Sequence, residues 1–229
     1  MITLAPALYG RPTVHEYTPI IKAIREIAPE AHIAGGAVRD TVLHKPIHDI
    51  DVFVWSLNVK EVAAFLRAEC AYVMVGKWEQ YEGFSDPSIS VVAKFEKHDE
   101  TIPICLIGLE RDRFEPAPEF LMKRNVDRFD FGVCMGAFDG EFMLTTQEFG
   151  YDRKHKCFTL HRADNIQQFA YSLSRYDKLK RTKFQDWSLA VPEEFRELVD
   201  RHASERHWYP DFEKGFQGKN ILRPKDRAA

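Results

Sequence analysis

The sequence predicts an α+β fold: a mixed front over residues 1–162, then a small helical segment over 163–229 with a loosely ordered tail. Three observations carry this. Apolar runs of strand length at 49–55, 88–95 and 102–109 lie among segments with helical spacing. Polar or glycine-bearing turns separate the runs. The rear holds two long helical patterns, 164–182 and 192–206, the second starting at Pro192 with Glu193 and Glu194 in its first turn.

Taken in order, residues 14–28 place Tyr17, Ile20, Ile21, Ile24 and Ile27 on one helical face. A short strand at 31–34 meets a turn at Gly35-Gly36, followed by a brief helix to about residue 44. The strand 49–55 comes next. Asn58 is placed to cap a helix over 59–69 whose apolar face is Val62, Ala63, Phe65 and Leu66. A short strand at 71–76 and a loop at 77–87 precede the pair 88–95 and 102–109. A helix is expected around 116–124. Phe129–Phe138 reads as a strand or a buried helix. Asp139-Gly140 signals a hairpin into 141–145, and 157–160 is another short strand.

A chain of 229 residues, 45% hydrophobic and 29% charged, has the composition of an ordinary globular protein. No apolar run approaches the roughly 18–20 residues of a membrane span. The first residues lack the charged and apolar regions of a signal peptide. Cys70, Cys105, Cys134 and Cys157 are scattered without a CxxC pair, and the nine histidines show no HExxH spacing. A reduced, cytoplasmic protein without a cysteine zinc site is expected. The net charge of −3 is unevenly spread: residues 151–229 carry 17 of the 32 Lys/Arg but 12 of the 35 Asp/Glu. An acidic front with a basic rear suits metal chemistry beside a polyanion-binding surface, and suits ordinary surface variation equally.

The stretch Ile33–Val54, IAGGAVRDTVLHKPIHDIDVFV, concentrates the chemistry. A glycine pair at a strand-to-helix turn lets backbone N–H groups approach an anion, and the helix dipole favours negative charge there. Arg39, one turn on, can bond phosphate. Asp49 and Asp51 point to one face of their strand with Cβ atoms about 6–7 Å apart, suited to hard cations. Glycine turn, positive helix end and paired carboxylates describe nucleotidyl transfer better than hydrolysis, since no protein nucleophile is nearby.

This block resembles the head of the tRNA nucleotidyltransferase and poly(A) polymerase family, within the polymerase-β-like nucleotidyltransferases. The family signature GGxVRDxLLGR…DIDxxV here reads GGAVRDTVLHK…DIDVFV, with His44 in place of a glycine and Lys45 at the basic position. A second block, RFDFGVCMGAF (Arg128–Phe138), is similar to the family's RRDFTINAMAY. Arg128, Asp130 and Phe131 match; Phe129 replaces an arginine and Cys134 the asparagine. The resemblance implies a mixed sheet flanked by helices and a Mg²⁺-dependent transfer of NMP from an NTP to an acceptor hydroxyl, releasing pyrophosphate. An RNA 3′ end, possibly that of tRNA, is the expected acceptor, ahead of a protein side chain or small molecule.

By the same resemblance Asp49 and Asp51 would be catalytic and hold two Mg²⁺ ions. Gly35, Gly36 and Arg39 would hold the triphosphate, with Arg128 and Asp130 near the nucleotide. Arg175 and Lys178, in a helix resembling the family's base-selecting one but lacking its acid–arginine pair, would serve it too or form a solvated basic face. The family often adds an acid on a later strand, where this chain has Cys105; Glu110 or Asp112 could stand in. That departure keeps a second reading open, a catalytically quiet nucleotide- or RNA-binding module on the same fold. Chance motifs on an unrelated fold are a third.

Overall fold

A computed structural model describes residues 12–79, 89–98, 100–110, 119–204 and 221–222. The chain divides into two compact units: residues through Asp127 with Cys134–Thr145, and Arg128–Val133 with residues from Thr146 onward.

In the first unit a 3-10 turn at Val14–Tyr17 leads into α1 (Thr18–Ile27), which buries Ile20, Ile21 and Ile24. Then follow β1 (His32–Ala34), α2 (Gly36–Val42), β2 (Ile50–Trp55), α3 (Val59–Ala68), β3 (Val73–Glu79), β4 (Ile89–Lys97) and β5 (Glu100–Leu109). After α4 (Glu119–Val126), β6 (Gly136–Phe138) and β7 (Met143–Thr145) form the hairpin that Asp139-Gly140 signals, with Gly140 at φ 95°.

These strands make one seven-stranded sheet in the order β3-β4-β5-β2-β1-β6-β7. The β2–β5 pair is parallel and the rest antiparallel, so the expected mixed sheet is present. Alternation sends Ile50, Val52 and Val54 of β2, with Ile104 and Leu106 of β5, into a core closed by Ile21, Ile24, Val62 and Leu66. Pro103, unusual inside a sheet, lies beside a register irregularity between β4 and β5, where its missing N–H costs least.

The second unit adds α5 (Gln147–His155), β8 (Cys157–Thr159), α6 (Ile166–Thr182), β9 (Ser188–Ala190), α7 (Arg196–Ser204) and β10 (Ile221–Leu222). A three-stranded parallel sheet, β10-β9-β8, carries Phe158 on its outer strand β8, paired with Leu189 of the central β9. Phe131, Tyr176, Phe184 and Trp187 surround that ring with centroids 5.3–5.5 Å away. Such aromatic contacts add to simple burial.

Several local expectations are corrected. Asn58 stands at the N-cap position of α3 as expected, but its side chain makes no capping bond: it ends a 3-10 turn, and its side-chain amide donates to the buried Glu30 carboxylate at 2.8 Å. The same Oε1 accepts the Trp55 backbone N–H at 2.9 Å, so a buried acid 28 residues away outcompetes the helix end. Phe129–Phe138 is neither one strand nor one helix; it runs through a bridge at Phe131, a 3-10 turn at Gly132–Cys134 and then β6. The β3 strand continues to Glu79, into the stretch read as loop; most of that loop, the start of the 116–124 helix and the tail from 208, apart from β10, lie outside the described residues.

Candidate active site

The first unit builds its candidate site on adjacent sheet strands. β1 leads into Gly35, whose φ of 76° and ψ of −125° only glycine adopts without strain. Its N–H donates to the Gly136 carbonyl at 3.0 Å, tying the turn to β6. Gly36 opens α2 with an ordinary φ, and a Cβ there would meet only Arg39 Nη2 at 3.6 Å. Among the described residues nothing in the packing requires that second glycine. Its bareness instead leaves room above the turn.

Arg39 is buried behind this turn. Its Nε donates to Asp40 Oδ1 at 2.7 Å and its Nη1 to Cys134 Sγ at 3.4 Å. Burial opposes the charge, but the Cys134 sulfur and the Asp40 carboxylate outweigh it and raise the pKa above its ordinary value. The residue that replaces the family asparagine therefore sits against the arginine of the first block.

Asp49 is exposed just before β2, and Asp51 is half-buried on the strand. Register places Asp51 directly opposite Cys105 on β5, and Cys105 opposite Lys94 on β4. Desolvation pushes the Cys105 thiol up to about 12, assisted by the negative charges of Asp51 and then Asp49. The thiol is therefore neutral, and a soft neutral sulfur is a poor ligand for a hard cation. Lys94 reaches Glu96, two residues along the same strand face, at 2.6 Å. Glu110 lies past the other end of β5, beside Ser56, about 16 Å along the strand from Cys105. Asp112 lies outside the described residues. Where the resemblance leads one to expect a third acid the strand thus holds a thiol, and a lysine stands next to it.

Among the described residues no group of three His, Cys, Asp or Glu is arranged to hold a metal ion. A pair of carboxylates still fits magnesium, which is commonly held by one or two carboxylates together with substrate phosphates and waters.

The second unit holds the remaining expected residues. Asp130 accepts from Ser172 Oγ at 2.8 Å, and Arg175 Nη1 lies 3.0 Å from both its oxygens. Arg175 is thus joined to Asp130, while Lys178 is exposed one turn further along α6. Arg128 is half-buried at the start of this stretch. Sequence reading missed Asp152, fully buried on α5. Its Oδ2 accepts the backbone N–H of Val133 at 2.9 Å and of Thr159 at 3.0 Å, and its Oδ1 accepts from the Cys157 thiol at 3.4 Å. Burial raises this carboxyl, partly offset by those hydrogen bonds. A Cβ on Gly132 would come within 2.8 Å of Asp152 Oδ2, so this glycine permits the close approach.

No known family pattern matches the chain. Over 49 residues, 21% of this chain and 12% of the relative, it is 45% identical to a CCA-adding enzyme of Streptococcus uberis. Over 34 residues, 15% of this chain and 8% of the relative, it is 50% identical to that of Streptococcus pneumoniae. A solved tRNA-processing enzyme in an apo form superposes with a TM-score of 0.54 at 17% identity, covering 88% of this chain and 49% of that one. A tRNA nucleotidyltransferase solved with a primer tRNA and an incoming ATP analogue gives 0.50 at 20% identity, covering 79% and 50%. The chain spans about half the length of these structures and a small part of the curated relatives. The fold is the one these solved enzymes share.

Proposed function

We propose that this protein, which shares the tRNA nucleotidyltransferase fold, transfers a nucleoside monophosphate from an NTP to the 3′ end of an RNA. In the reaction the acceptor oxygen forms a bond to the α-phosphorus as the bond from that phosphorus to the β-phosphate bridge oxygen breaks. The bonding pair leaves with pyrophosphate, and the hydroxyl proton passes to solvent. Asp49 and Asp51 would hold Mg²⁺, which when bound lowers the hydroxyl pKa and neutralises charge on the phosphates. Gly35 and Gly36 would offer backbone N–H groups to the triphosphate, with the Arg39 charge behind them. Arg128, Asp130, Arg175 and Lys178 would serve the nucleotide.

The observation that carries this reading is the order of the first block on adjacent strands: glycine turn after β1, aspartates at the head of β2. The short curated matches to CCA-adding enzymes support it. The test is incubation with each labelled NTP, Mg²⁺ and RNA ending in a 3′-hydroxyl. Wild type should extend the RNA, and Asp49→Ala/Asp51→Ala should lose at least about a thousand-fold in rate, since it removes the carboxylates that would anchor the ion. Equal behaviour of the two proteins with RNA, protein and small-molecule acceptors would sink the transferase.

Cys105 favours one other reading, a nucleotide- or RNA-binding module without turnover. Calorimetry with a non-hydrolysable NTP separates the two: binding that gains nothing from Mg²⁺, with no transfer, supports the module.

A further inference from the structure

We propose that Lys94 binds the backbone phosphate of the incoming acceptor, and that the sheet face over Cys105 and Lys94 receives its 3′ end. This rests on the transferase reading and adds to it the side from which the acceptor arrives.

The sheet order supplies the direction. β1, which leads into the Gly35-Gly36 turn, flanks β2 on one side; β5 and then β4 flank it on the other. A triphosphate seated on the glycine turn lies on the β1 side of Asp49 and Asp51. In-line displacement at phosphorus requires the incoming hydroxyl and the departing pyrophosphate on opposite sides of the α-phosphorus. The hydroxyl then comes over β5 and β4.

The chemistry of that face fits a polyanion. Asp51, Cys105 and Lys94 form one row across three strands. An acid at the middle position would repel an approaching phosphodiester; a short neutral thiol leaves both room and charge balance. Beside it stands the Lys94 ammonium, its side chain 47% exposed, braced by Glu96 at 2.6 Å. A lysine is a flexible point charge suited to a phosphate oxygen.

The test uses the full chain, a single-stranded RNA oligonucleotide with a free 3′-hydroxyl, and the variants Lys94→Ala and Lys94→Arg. RNA affinity is followed by anisotropy across a salt series, and affinity for a non-hydrolysable NTP with Mg²⁺ by calorimetry. Lys94→Ala should bind RNA about ten-fold more weakly and lower the slope of log affinity against log salt by about 0.7, the value for one phosphate contact on a single strand. NTP affinity should change less than about two-fold, and Lys94→Arg should restore most RNA binding. In turnover, KM for the acceptor should rise with kcat little changed. Weakened NTP binding in Lys94→Ala would put the lysine on the triphosphate side and overturn the inference. So would unchanged RNA affinity and salt slope, or a wild type that binds no RNA. Wild type that binds no NTP defeats the transferase reading itself, an outcome distinct from any of these.

Discussion

His44 has a φ of 53°, in the left-handed region that favours glycine, where the resembling signature carries one. Histidine tolerates this conformation better than most residues, so the chain keeps the turn at a small cost. His44→Gly should raise stability by up to about 1 kcal/mol, measured by urea unfolding, with the turn unchanged. Gly36 should behave in the opposite way. Since its φ is ordinary and a Cβ would meet only the Arg39 side chain, Gly36→Ala should melt within about 2 °C of wild type. It should nevertheless weaken NTP binding by about ten-fold or more, because the added methyl fills the space over the turn. Loss of stability without loss of binding would make Gly36 a structural residue.

Among the elements, α5 carries Gly150 at mid-helix, and none of the described residues comes within 4 Å of a Cβ built there. Gly150→Ala should add about 0.5–1 kcal/mol, again by urea unfolding. The same glycine explains why this helix went unread, since only Phe149 and Asp152 of α5 are buried and no apolar stripe forms. By contrast α1 and α3 announced themselves through their buried faces, and β2 through its apolar run. β9 and β10, three and two residues long, are too short for periodicity to mark. The first candidate block was legible because its turn, helix and carboxylates are contiguous in sequence. The sequence marks Cys105 as the residue where the resembling family often adds an acid, and register sets it opposite Asp51; its neighbour Lys94 carries no such mark, since only strand register brings the two together. Asp152 was invisible for a related reason: its partners Val133 and Thr159 lie 19 and 7 residues away in backbone positions that carry no signature.

At the scale of the whole molecule the two units should respond to acid with opposite signs. His32 in the first unit is fully buried; its Nδ1 lies 2.9 Å from the Glu30 carbonyl and its Nε2 2.9 Å from Asn125 Nδ2. Burial lowers its pKa from 6.5 to about 4, only partly countered by the Glu30 carbonyl. Between those values the unfolded chain binds more protons, so stability present above pH 6.5 is lost as pH falls toward 4. The loss should reach about 2 kcal/mol by pH 5. Asp152 in the second unit has a raised pKa, so there the folded state binds more protons above 3.8 and acid favours folding. Hydrogen exchange in urea, corrected for intrinsic rates, should therefore show protection falling in the first unit between pH 7 and 5 and holding or rising in the second. A uniform fall across both would contradict this assignment. Asp152→Ala, leaving two buried backbone N–H groups unbonded, should cost about 2–4 kcal/mol in the second unit. The parallel pairing of β2 with β5 has one more consequence. Those strands are bridged by α3, β3 and β4, and Ser56 meets Glu110 across 54 residues, while Arg39 meets Cys134 across 95. Closing such long loops is entropically expensive, and topologies built on distant pairings fold slowly. Asp51 acquires Cys105 and Lys94 as neighbours only when β5 joins β2, so the polypeptide assembles its chemistry late in its own folding.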